Sequence, residues 1–479
     1  MQERGLLYGG DDTGYFAHAT SLAFFQFPDY SKEYFNVGGE YPMHSIGPGI
    51  MAYPFVFSFS LIDRLQNSPI VEKRDISNII HSWTLFGFII STMFYFYFGV
   101  VLLYKALNFC FEERISFFTI LFMILFQFFP LYVFRRPVLS HIYEFFLQAV
   151  LIYILLKDFK TKFLDNVKWW LSVLIGIIVG LITLVRINDL FFSLVWPIVI
   201  FCFRDNFIFK KYYKSLITIY LTALIIILLF KLPLNIVYGY EAYFSSGLAG
   251  IFSFEGFLFY LKCLIKIFIG LDWGLIFTAP FLVFSIFYSF IAKYNLKKQI
   301  LIILIPVIVN FYAYFRGFGG WYGYRIIFFS IAPLLIIPFA DFLQKSMKKI
   351  NPKLLLAGLS VISIYPILSM LSYEGIVKMT ECYYSPVVRN YYHIDIWTVI
   401  FSNPKDYITS ILKGGPLFII YLFSKVFGFF KNLPQAVQEK YITFRLDVLI
   451  KSVLLYIIPF IMYFFVRIFK FEKKKNYHK

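Results

Sequence analysis

Charged side chains are scarce in this chain: Asp, Glu, Lys and Arg together fill 15% of its 479 positions. Soluble domains carry about 25%. With a hydrophobic share of 60% and a mean hydropathy of +0.72, too little polar surface is left to coat a water-exposed globule. Acidic residues are rarer than basic ones, 27 against 45, which leaves a net charge of +18. A nucleic-acid binder carries a similar excess. Here, however, the basic residues fill the gaps between apolar runs, a pattern of membrane topology and attraction to anionic lipid. Cysteine is confined to Cys110, Cys202, Cys263 and Cys382, with no CxxC pair and no metal-ligand spacing. A P-loop and a GxGxxG turn are both missing, so no nucleotide site is expected. Short alternating strands are missing as well, which argues against an outer-membrane barrel.

What the chain does have is a series of apolar runs long enough to cross ~30 Å of hydrocarbon as helices. Eleven spans are read: 81–104, 117–134, 141–157, 169–185, 189–203, 215–232, 271–291, 299–315, 325–343, 354–373 and 447–467. Alternate connections differ sharply in charge. One set, with the tail from Arg467 to Lys479, holds twenty-three Lys and Arg; the short connections of the other set hold only Arg135, Arg136, Arg186, Arg316 and Arg325. The positive-inside rule makes the first set cytoplasmic. Residues 1–80 then lie outside without a span ahead of them, so a first helix is expected to be missing from this chain, making twelve. The expected organisation is a first extracytoplasmic loop at 1–80 and a transmembrane core at 81–373. An outer loop with an interfacial helix follows at 374–446, then a last span and basic tail at 447–479.

The outer face collects the polar residues worth noting. Gly10-Asp11-Asp12-Thr13-Gly14-Tyr15 opens a stretch whose apolar positions, Tyr15, Phe16, Ala19, Leu22 and Ala23, fit an amphipathic helix lying on the membrane. Asp is a common N-cap, which accounts for one of the two carboxylates; the other is left for chemistry. His44-Ser45-Ile46-Gly47-Pro48-Gly49 turns into a second helix, read as interfacial. The outer arginines can each snorkel to the headgroups, yet together they suit bidentate binding of a phosphate. Glu144, one turn into its span after Ser140-His141, is either a functional carboxylate or the ion-pair partner of Arg135 or Arg136. Trp321, Tyr322 and Tyr324 can stack on a sugar or belong to an aromatic belt. Asp11, Asp12, His44 and His141 are metal-ligand types, but no spacing supports a divalent metal, and no cofactor is expected.

These segments, in this order, resemble the GT-C superfamily of polyprenyl-phosphate-dependent membrane glycosyltransferases. The likeness is greatest to the bacterial branch near the protein O-mannosyltransferases and the aminoarabinose transferases. It rests on Gly10 to Tyr15 with Ser21-Leu22, on His44 to Gly49 with Pro54-Phe55, on Ser140-His141, and on Val185-Arg186-Ile187-Asn188. It continues through Gly270 to Pro280 and Gly319 to Arg325. The acidic pair reads Asp-Asp where Asp-Glu is commoner in that family. The resemblance implies an all-α polytopic enzyme of the cytoplasmic membrane that moves a sugar, with inversion, from a polyprenyl phosphate to an acceptor outside. The acceptor class (lipid, polysaccharide or protein) is open, and nucleic acid is not a partner. Asp11 or Asp12 would be the base. Arg325, Arg186, His141, Arg135 and Arg136 would meet the lipid phosphate, and Tyr15, His44, Glu144, Trp321, Tyr322 and Tyr324 would line the pocket. The alternatives are a lipid-linked polysaccharide polymerase or ligase, which would use large late loops, and a transporter, which would carry charges deep within several spans.

Overall fold

A computed structural model describes residues 11–30, 44–66, 83–129, 132–133, 139–166, 168–186, 189–202, 209–238, 268, 275–294, 296–304 and 325–379. The chain divides into two compact units, residues 1–370 with 382–402 and residues 371–381 with 403–479. The packing described below is that of the first. Every regular element among the described residues is helical: α1 Asp11–Ala23, α2 Gly47–Leu65, α3 Trp83–Leu107, α4 Glu113–Ile120, α5 His141–Thr161 and α6 Trp169–Val185. They are followed by α7 Leu190–Cys202, α8 Phe209–Tyr238, α9 Pro280–Ile291, α10 Arg325–Met347 and α11 Pro352–Met379. Two of these hold stretches long and apolar enough to cross a membrane, Trp83–Leu107 and Tyr212–Tyr238. The expected span at 447–467 and the loop at 374–446 fall outside the described residues, apart from the backbone of α11 up to Met379.

Helix α5 occupies the centre, with α3, α6 and α10 packed around it. On one flank α2 lies against α3 and α1; on the other, α6 lies along α8. The α6–α8 contact is close because α6 carries Gly176 and Gly180, four residues apart on one face. A Cβ on either would run into α8 at Ile219 and Thr222 or at Ala223 and Ile226. Small residues at this spacing let two helix backbones approach where no water drives them together. The opposite side of α8 shows the complement: Ile217, Leu221, Leu224 and Leu228 recur at helical spacing and are 45–58% exposed, an apolar face turned away from the protein.

Three expectations are revised by this structure. The run at 117–134 is not one straight span. Helix α4 passes into a π-helical turn, Leu121–Leu125, and the chain turns at Phe126. There the Gln127 amide donates to the Phe122 and Met123 carbonyls at 3.1 and 2.8 Å, satisfying groups that the broken ladder releases. The run at 271–291 breaks at Ala279 (φ −146°, ψ 57°), since the proline after it disfavours helical backbone there. Helix α1, expected to lie on the membrane with one wet face, is buried on nearly every side by α2 and its neighbours.

Burial of α1 explains how its polar residues are satisfied. The Thr20 hydroxyl donates to the Phe16 and Ala17 carbonyls of its own helix. His18, fully buried, bonds from Nδ1 to the Tyr30 hydroxyl and from Nε2 to the His44 carbonyl at 2.5 and 2.9 Å. A carbonyl only accepts, so Nε2 carries the proton and Nδ1 accepts from tyrosine. Tyr30 in turn donates its backbone N–H to the Tyr238 hydroxyl on α8 at 2.7 Å. The other end of α2 is fixed to α3 by Asp63, whose carboxylate accepts from the Trp83 and Thr84 N–H groups and from the Thr84 hydroxyl. A residue of one helix thus caps the orphan donors at the start of the next.

Candidate functional site

Helix α6 ends at Arg186, which leaves the helix in an extended conformation (φ −151°, ψ 118°). The chain then turns back on itself, with the Asp189 N–H donating to the Arg186 carbonyl at 2.9 Å. That turn places a guanidinium and a carboxyl beside the first turn of α5. Arg186 Nη1 lies 2.7 Å from His141 Nδ1 and 3.4 Å from Glu144 Oε2. Asp189 neighbours the Glu144 carboxyl from one side and Ser330 of α10 from another. All four ionisable side chains are buried, Glu144 completely. Glu144 Oε1 and Asp189 Oδ2 meet no N–H group, and the two carboxyls are hydrogen-bonded to each other, which requires one of them to carry a proton.

Aromatic residues close the cluster. The His141 ring stacks on Phe329 of α10 (centroids 5.6 Å apart, planes at 29°) and meets the edge of Tyr132 at 6.4 Å. On the side toward α1, Ser140 precedes His141 and receives a hydrogen bond from the Tyr15 hydroxyl at 3.3 Å. Tyr15 also meets the His44 ring at 5.7 Å, edge to face. His44 sits at the entry to α2 because Gly14 and Gly47 permit it. A Cβ on Gly14 would collide with the His44 ring, and one on Gly47 with the backbone of Leu184 and Val185, just before Arg186. The line His44, Tyr15, Ser140, His141, Arg186, Glu144, Asp189 thus runs through α1, α5 and the α6–α7 turn.

Of the residues named from sequence, the structure joins Tyr15, His44, His141, Glu144 and Arg186. Among the described residues Glu144 pairs with Arg186, while Arg135 and Arg136, its partners in one of the two readings from sequence, lie outside them. Asp12 is buried in the first turn of α1. Asp11 is where the described part of that helix begins; its side chain, and with it the capping role expected of one of the pair, lies outside what is described. Arg325 opens α10 one turn before Phe329, and its side chain lies outside what is described. Arg135, Arg136, Trp321, Tyr322 and Tyr324 lie outside the described residues. Among the described residues no group of three or more His, Cys, Asp or Glu side chains is placed to hold a metal. Asp189 is the residue sequence reasoning missed. It stood in view as the last of Arg186-Ile187-Asn188-Asp189, but nothing in its spacing tied it to Glu144, 45 positions earlier.

No protein-family model matches this chain, and no characterised protein or solved structure is measurably similar to it.

Chemically, the cluster offers a fixed guanidinium, a histidine whose ring is clamped by stacking, and a buried pair of carboxyls that hydrogen-bond each other. Breaking a buried hydrogen bond of this kind leaves a polar group unpaired at a cost of about 1–3 kcal/mol, which holds the two carboxyls together. Removing Arg186 would leave the carboxyls uncompensated, so the cluster stands or falls as a unit.

Proposed function

We propose that the chain is a polytopic glycosyltransferase of the bacterial cytoplasmic membrane, taking its sugar from a polyprenyl phosphate and acting on the outer face. About eleven helices span the bilayer. An Asp of the first loop, Asp11 or Asp12, accepts the proton of the acceptor hydroxyl as it attacks the anomeric carbon. Arg186 and Arg325 offset the charge growing on the lipid phosphate. The observation that carries this reading is the convergence of first-loop residues Tyr15 and His44 with Ser140, His141, Glu144 and Arg186, residues spread over more than 170 positions. Tyr15, His44, Ser140-His141 and Arg186, residues of four of the ordered GT-C-type motifs, fall on this line of contacts.

The test is transfer from a synthetic polyprenyl-phosphate sugar by protein in proteoliposomes. A positioned base contributes ~10²–10⁴ in rate, so Asp→Asn at the basic position should lose that much while expression and folding persist. The same change at the other Asp should cost far less. Arg325→Lys should stay impaired, because an ammonium lacks the planar fork that grips phosphate. Full transfer by both Asp variants would make the acidic pair structural and remove the main support for the reading.

A further inference from the structure

Two ionised carboxylates offer each other lone pairs and no donor, so a hydrogen bond between them needs a proton. Glu144 and Asp189 are joined by such a bond, both of them buried, Glu144 completely. Glu144 Oε1 and Asp189 Oδ2 receive no N–H, so the donor available to the pair is its own proton. The remaining charges can then be counted. Arg186 is a permanent cation. Its Nη1 donates to His141 Nδ1 at 2.7 Å, which leaves that nitrogen bare and the ring uncharged. One guanidinium, one neutral imidazole and two carboxyls sharing a proton sum to zero.

We infer that Glu144 and Asp189 form a binding site for one proton, and that this proton makes the cluster at the start of α5 electrically neutral, with a single negative charge holding Arg186. The consequence for transfer rests on the glycosyltransferase reading; the proton count does not. The charge that acts on both carboxyls is that of Arg186, whose Nη1 lies 3.4 Å from Glu144 Oε2. The other groups around the pair, among the described residues, are His141 one turn earlier on α5, Ser330 of α10, which bonds to Glu144, and Tyr132, which edges the His141 ring. Were both carboxyls ionised, they would outweigh the guanidinium, and a net negative cluster beside Arg186 would repel a lipid phosphate. A neutral cluster does not. Asp189 is then a positioning residue: it acts on Arg186 through Glu144, and its part is to share the proton that keeps one counter-charge, not two, against the guanidinium.

Carboxamides test this on the full chain, because an amide keeps the shape of a protonated carboxyl and offers an N–H where the acid has its O–H. In the first measurement, infrared difference spectra at neutral pH compare the wild type with Glu144→Gln and with Asp189→Asn. Each should show one carbonyl band of a protonated carboxyl that the variant lacks, since the carboxyl left behind stays ionised against Arg186. Difference spectra without that band, or a band that only one of the two variants removes, overturn the shared proton. The second measurement follows thermal unfolding through a mutant cycle. Each single variant keeps one negative charge and should unfold close to the wild-type temperature. The double variant strips Arg186 of its counter-charge and should lose far more than the two single losses combined. Adding Arg186→Gln to the double variant should recover part of that loss, because no charge is then left unpaired. Additive losses, or a triple variant no better than the double, overturn the neutral count. In a transfer assay Asp189→Asn should outperform Asp189→Ala, which gives Glu144 neither proton nor amide; Asn no better than Ala overturns the positioning role. If the wild-type protein transfers no sugar from a polyprenyl phosphate, the glycosyltransferase reading fails while the spectra and the cycle still decide the proton count.

Discussion

His18 shows how one side chain couples this fold to pH. Its two ring nitrogens are both used, one toward Tyr30 and one toward the His44 carbonyl, inside a fully buried helix. Burial disfavours the charged imidazolium and pushes its pKa from 6.5 down to about 3. The sign follows directly. Between those values the unfolded chain binds a proton that the folded chain refuses, so the contribution is intact above 6.5 and declines as pH falls toward 3. The decline approaches about 1.4 kcal/mol for each pH unit below the upper value. Thermal unfolding in detergent between pH 7.5 and 5 should show a falling Tm, and His18→Gln should lower Tm at pH 7.5 but flatten the dependence. An unchanged slope in that variant would assign the pH sensitivity to other groups.

At the scale of the helix, two glycines predict opposite outcomes for one and the same substitution. Gly47, at the start of α2, faces the backbone of Leu184 and Val185, which cannot rotate aside. Gly47→Ala should force α2 away from α6 at a cost of about 1–3 kcal/mol and, by displacing His44, weaken the proposed transfer as well. Gly358 of α11 has nothing within 4 Å of a Cβ, so Gly358→Ala should be neutral or stabilising by about 0.5–1 kcal/mol. Chemical denaturation of both variants separates a contact effect from a helix-propensity effect. Helices were also where the sequence was most legible. The run 169–185 emerges as Trp169–Val185, because an uninterrupted apolar stretch bounded by Lys168 and Arg186 leaves little freedom in its ends. Less legible were the breaks at Phe126 and Ala279, which depend on one local side chain or one proline inside an otherwise apolar run. The burial of α1 was hidden for a different reason: its polar face is covered by α2, a partner that periodicity within α1 cannot reveal. For the same reason Glu144 and Arg186 could each be named from sequence, while their pairing and the arrival of Asp189 needed the packing of α5 against α6.

Across the whole chain, the helices that build the candidate site share a polarity. Helix α5 begins at His141 and Glu144 and ends at Lys157, Lys160 and Lys162. Helix α6 starts after Lys168 and finishes at Arg186, and α10 runs from Arg325 to Lys345, with Lys348 and Lys349 just beyond. Each therefore has a site end and a lysine end. Helix α5 is 21 residues long, about 32 Å at 1.5 Å per residue, comparable to the ~30 Å of a hydrocarbon core. Under the proposed topology the positive-inside rule assigns the lysine ends to the cytoplasmic face, and the site ends, with the first loop that meets them, to the other. The same lysines enter the loop-charge count; packing adds that the site ends of α5, α6 and α10 meet one another. Single cysteines at Asp12, Lys293 and Lys474, each introduced in a background lacking the native four, should divide accordingly. Lys293→Cys and Lys474→Cys should react only after the membrane is made permeable, while Asp12→Cys, buried in the folded protein, should react from the outside once the protein is loosened by mild denaturant. Labelling of Asp12→Cys and Lys474→Cys from the same side would invert the topology, place the His141–Arg186 cluster on the cytoplasmic face, and remove the reason for a lipid-linked donor.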